Sequence, residues 1–61
     1  MPEKVRSITL ADGTVYENPI ILWPLNWRDT DREFMTIRTE DNEEIHLRVR
    51  EVVKEICPYY E

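Results

Sequence analysis

One glycine, one histidine and one cysteine are all that this chain of 61 residues contains of those three types, and each scarcity removes a class of chemistry. A single glycine cannot build a glycine-rich phosphate loop. The lone Cys57 cannot form an internal disulfide, which argues against a stapled secreted scaffold and fits a reducing, cytoplasmic setting. One imidazole, one thiol and scattered carboxylates lack the paired spacing of a structural zinc site. The run Asp29-x-Asp31-x-Glu33 begins like a calcium loop but lacks the loop glycine and the terminal bidentate glutamate, so it reads as a solvated acidic turn. No metal and no cofactor is expected.

Long apolar runs are missing as well. The longest, Ile20-Ile21-Leu22-Trp23-Pro24-Leu25, is far too short to span a bilayer, and Met1-Pro2-Glu3-Lys4 opens without a hydrophobic signal region. Catalysis needs a nucleophile, a base and an orienting group in a sheltered site. Here His46 falls on the outward phase of an alternating strand and Cys57 has no base beside it, so the chain reads as non-enzymatic.

The remaining composition is that of a folded miniature. Hydrophobic residues make up 41% of the chain, with two Trp, three Tyr and one Phe, and 34% charged residues keep the rest soluble. One domain, 1–61, is expected, near the lower size at which a core folds unaided, with no room for a deep cleft. Thirteen acids against eight bases give a net charge of −5. That balance disfavours nonspecific nucleic-acid binding, which draws on neutralising cations, and suits docking on a basic protein surface.

Asp12-Gly13, between Ile8-Thr9-Leu10 and Val15-Tyr16, is the strongest local signal. A type I′ turn there would set Ala11 against Thr14 and Leu10 against Val15, with Leu10 and Val15 inward, in a hairpin over 5–17. Asn18-Pro19 interrupts the run, and 20–23 follows as a bent continuation or a third short strand. Turn formers fill 24–32, a loop that carries Trp27. In the second hairpin, 33–50, a loop of Asp41-Asn42-Glu43 would pair Thr39 with Ile45 and Ile37 with Leu47, which brings the apolar faces together. Asn42 is the easier candidate for the left-handed position of that turn, with Glu43 the other. Val49, Val52, Val53 and Ile56 have helical spacing, favouring a helix over 50–57 stopped by Pro58; a helical turn leading into a closing strand at Val53–Cys57 uses the same residues.

These elements make a mainly β, β-rich α+β domain. It is a strongly curved antiparallel sheet, or an SH3-like or Sm-like small barrel, of 4–5 strands with a short C-terminal helix or helical turn. The pattern Ile8-x-Leu10-x-Asp12-Gly13-x-x-Tyr16, then Leu47-x-Val49 and Val52-Val53, resembles Sm-like barrels. The resemblance implies the fold alone: the N-terminal helix and the Arg-Gly pair of the last loop in that family are missing, so its RNA binding does not carry across.

Two surfaces could carry function. The first combines Trp27 and Arg28 of the loop with the acidic turn Glu40, Asp41, Glu43 and Glu44; aromatics and arginines are common interface anchors and acids steer basic partners. Trp23 is the tryptophan expected in the core, although Trp27 could equally fold back to cap it. The second is a cationic strand face of Phe34, Arg38, His46, Arg48 and Arg50, with Arg38 opposite His46 and Thr36 opposite Arg48, a mixture able to hold single-stranded nucleic acid. The leading expectation is a non-enzymatic protein-interaction module or a regulator or inhibitor of a larger protein, with self-association as an option. A nucleic-acid-binding small barrel is the alternative, and a structural accessory protein a further one. No membrane partner is expected.

Overall fold

The computed structural model describes residues 2–28 and 33–60. Its elements in chain order are β1 (Glu3–Leu10), β2 (Val15–Glu17), β3 (Ile20–Trp23), β4 (Phe34–Arg38), β5 (Glu44–Arg48), the short helix α1 (Val49–Val52) and β6 (Val53–Pro58). All pairings are antiparallel: β1 lies against β2, β3 and β6, β3 against β4, and β4 against β5. The sheet curls into a half-barrel of five strands when β2 and β3 are counted as one bent strand. No ladder joins β5 to β6 among the described residues.

β2 and β3 merit that joint count because one register runs through both. Ser7 pairs with Glu17 and Lys4 with Ile20, and between them Asn18 N–H donates to Arg6 C=O and Val5 N–H to Pro19 C=O. Asn18-Pro19 therefore bends the ladder without breaking it. Asn18 takes a left-handed φ of 54°, and Pro19 is fully buried. Across from this bend, β1 carries one extra residue against β6 between Val5 and Ser7. A bulge turns the alternation of a strand, so Val5 and Ile8, three apart, both point inward. They join Ile21, Trp27, Met35, Ile37 and Leu47 in the core.

Both hairpins use the same loop. Ala11-Asp12-Gly13 is closed by Leu10 N–H to Thr14 C=O and Gly13 N–H to Leu10 C=O; Glu40-Asp41-Asn42 is closed by Thr39 N–H to Glu43 C=O and Asn42 N–H to Thr39 C=O. The third loop residue is left-handed each time, Gly13 at φ 97° and Asn42 at φ 66°. The expectation for Asn42 holds. The type I′ turn does not: it needs positive φ at both central residues, and Asp12 lacks it. Instead Asp12 Oδ1 accepts the Thr14 N–H at 2.9 Å. Val15 consequently faces Thr9 and lies exposed, while Tyr16 faces Ile8 and packs on the core.

In the second hairpin the loop starts one residue earlier than expected, giving Ile37–Ile45 and Met35–Leu47 pairs in place of Thr39–Ile45 and Ile37–Leu47. The pairing slips by two residues, so the apolar faces still coincide. The expected helix over 50–57 is also corrected. Helix is confined to Val49–Val52, and Val53–Pro58 runs as a strand along β1. An isolated short helix is marginal, whereas the edge of β1 offers backbone partners and Val53 and Ile56 are β-branched.

Two consequences can be measured. Trp27→Ala should cost about 3–5 kcal/mol in urea unfolding, comparable to what a core of this size supplies, while Trp23→Ala should stay within about 0.5 kcal/mol. The Thr14 backbone hydrogen bond, helped by the Thr14 side chain, holds the Asp12 carboxyl below its ordinary 3.8. Stability from that depression is fully present above the ordinary value and is lost as pH falls through the folded one. Asp12→Asn keeps an oxygen acceptor but no charge, so the stability gap between parent and variant should shrink as pH is lowered below about 4.

Candidate functional site

Trp23 leaves the core place expected for it, and Trp27, open between core and surface from the sequence, takes the core. Along β3 the register with β4 shifts between Ile21 and Trp23, leaving Leu22 as the extra residue; Ile21 pairs inward with Ile37, and Trp23 pairs with Thr36 on the outer face. Trp23 is 57% exposed and Trp27 only 6%. The Trp23–Pro24 peptide is cis, and Pro24 is buried.

Trp27 is held by the first strand. Its indole Nε1–H donates to Glu3 Oε1 at 3.3 Å, and Glu3 Oε2 lies 2.8 Å from Arg28 Nη2. Arg28 also donates to the Tyr60 carbonyl and lies over the Trp27 ring, 4.9 Å from its centroid. Glu3 thus satisfies the polar end of a buried indole and anchors the cation that covers it. Trp27 and Arg28, expected as a partner-binding pair, are both engaged by Glu3; Trp27 is buried, and Arg28 stays exposed above it.

The outer face of β3, β4 and β5 is built from cross-strand rows. Trp23, Thr36 and His46 form one row, with Thr36 Oγ1 3.0 Å from His46 Nδ1. Phe34 and Arg48 form the next, with the guanidinium 5.8 Å from the ring centroid, and Ile20, Arg38 and Glu44 the third. The slipped register corrects the expected neighbours: Arg38 faces Glu44 rather than His46, and Thr36 faces His46 rather than Arg48. Arg50 sits in α1, off the strand face. It lines an open depression of about 240 Å³ with Glu33, Phe34, Arg48 and Glu51.

Four of the five residues expected on the cationic face are therefore brought together, and Trp23 joins them. Sequence reasoning missed Trp23 because Ile20-Ile21-Leu22-Trp23 is uniformly apolar and has no alternation to show which side each residue faces. That uninterrupted run was the available signal, since four consecutive apolar residues in a strand cannot all face one core. Phe34 is 49% exposed, so two large rings stand on one face. The charge around them is mixed: Glu44 opposes Arg38, and Arg48 Nη1 lies 3.5 Å from Glu51 Oε2.

Glu40, Asp41 and Glu43 are exposed at the hairpin tip, and Glu44 opens β5 on the outer face. Cys57 is half-buried opposite Ser7. Asp29 and Asp31 of the calcium-like run lie outside the described residues, as do Thr30 and Arg32 of the expected loop. No group of three metal-ligating side chains forms among the described residues, and no helix there is long and apolar enough to cross a membrane. Comparison of the chain with protein-family models, with curated proteins and with solved structures finds no match.

The Glu3 clasp predicts a graded loss. Glu3→Ala, which removes the acceptor and the charge, should lower unfolding free energy by about 1–2 kcal/mol. Glu3→Gln, which keeps an acceptor for Trp27, should lose about 0.5–1 kcal/mol, both read by urea denaturation.

Proposed function

We propose that this chain is a non-enzymatic protein-binding module whose contact surface is the outer face of β3, β4 and β5. The observation that carries the reading is the exposure of Trp23 and Phe34 together on one sheet face. Exposed aromatic surface beside arginine is the composition of an interface anchor. A rim in which Arg38 faces Glu44 and Arg48 meets Glu51 suits a protein partner better than phosphate, which calls for uncompensated cations. The acidic tip of Glu40, Asp41 and Glu43 adds a steering element for a basic surface. The unpaired Cys57 supports a reducing, cytoplasmic setting.

The test compares the parent chain with a Trp23→Ala/Phe34→Ala variant, both immobilised and probed with a lysate of the source cells. Capture of a specific protein by the parent should fall at least tenfold in the variant, with circular dichroism unchanged. Labelled single-stranded RNA should not bind even at low ionic strength. Equal capture by both chains would remove this face, and RNA affinity that collapses with salt would transfer it to the nucleic-acid reading.

A further inference from the structure

Among the described residues, β5 is paired on one side only. Against β4, hydrogen bonds are fixed at both ends of the ladder, by Thr39 N–H to Glu43 C=O and by Val49 N–H to Glu33 C=O. Antiparallel ladders alternate bonded and non-bonded pairs, so the odd-numbered residues of β5 bond to β4. The N–H and C=O groups of Glu44, His46 and Arg48 therefore point to the open edge, where no strand of this chain pairs among the described residues. Such an edge is a template for another strand unless something repels it.

The side chains on this edge do not repel a second copy; they match it. Glu44, His46 and Arg48 share the outer face, and Ile45 and Leu47 the inner one. If two β5 strands meet antiparallel about a two-fold axis at His46, Glu44 faces Arg48 of the second copy, Arg48 faces its Glu44, and His46 faces His46. The paired residues are all even-numbered, the ones whose backbone groups reach outward, so hydrogen bonding and charge agree on one register. On the inner face the same register sets half-buried Ile45 beside Leu47 of the second copy. A slip of two residues either way pairs Glu44 with His46 or His46 with Arg48 and loses the match.

We infer that the open edge of β5 is a homodimer interface, in which a second copy of this chain adds its own β5 antiparallel and centred on His46. An isologous contact of this kind closes on itself, and it joins the sheets of both copies, β5 to β5, into one continuous sheet. Main-chain bonds supply the attraction, and the Glu44–Arg48 pairs select partner and register. This inference does not rest on the exposed aromatic pair: Trp23 stands on β3, two strands from the edge, and its removal alone should leave self-association unchanged.

Sedimentation equilibrium of the full chain should give twice the monomer mass of 7.4 kDa as concentration rises. Glu44→Arg and Arg48→Glu should each weaken the dimer about tenfold or more, since each puts like charges opposite one another twice per dimer. Combined, the two reversals should restore it. His46→Pro, tolerated where an edge N–H faces outward, should give a folded monomer. Hydrogen exchange on the unaltered chain needs no variant: the Glu44, His46 and Arg48 amides should gain protection with concentration. A chain that stays monomeric, exchange at those amides that ignores concentration, assembly beyond a dimer, or no recovery in a folded double variant would each overturn the inference.

Discussion

The bend shared by β1 and the β2–β3 strand is the constraint on which the rest of this fold depends. A core built by a chain this short has few residues to spend, and a flat hairpin would bring only one face of each strand to it. An extra residue in β1 at Arg6 and Ser7, facing left-handed Asn18, turns both strands at one level. Val5 and Ile8 then serve the same core from opposite sides of the bend, and Ile21 and Tyr16 follow on the partner strand. The half-barrel is this bent ribbon, extended by β4 and β5 at one end and by β6 along the other edge of β1.

Closure of the core follows from the bend. The first residue of β1, Glu3, pairs with Ile21, and from there its carboxylate reaches both Trp27 and Arg28. The core thus gains its largest side chain from a loop, with the indole N–H satisfied and a cation laid over the ring. The same geometry leaves Trp23 outside. A second irregularity, at Leu22, turns it onto the face that already carries Phe34, Arg48 and His46. Core and candidate surface are two outcomes of where the alternation breaks.

That dependence explains what could be read from the residues in order. The period-two pattern at Met35, Ile37, Ile45 and Leu47 was enough to show a hairpin with a common apolar face and a three-residue loop, and Asn42 was legible as its left-handed member. Curvature was legible from Asn18-Pro19 and from so small a core. Registers were not, because a slip of two residues keeps every face and changes only the neighbours; Arg38 accordingly lost His46 and gained Glu44. The fate of Val53 and Ile56 was not legible either, since their spacing fits a helix and a bulged strand alike, and the deciding partner, β1, lies over forty residues away in sequence. Within the site, Phe34, Arg38, His46 and Arg48 could be assigned to one face by alternation, but Trp23 could not, and Trp27 was open between core and surface.

Two local devices sort the indoles: the extra residue at Leu22 turns Trp23 outward, and the Glu3 carboxylate holds the loop residue Trp27 in the core. Two-dimensional NMR of the unaltered chain tests this sorting most directly through cross-relaxation from each indole ring. The Trp27 ring should show contacts to core side chains, with a slowly exchanging Nε1–H, and the Trp23 ring contacts to Thr36 and none to the core. Contacts from the Trp23 ring to the methyl groups of Ile21 and Ile37, with a Trp27 Nε1–H in rapid exchange with water, would contradict it.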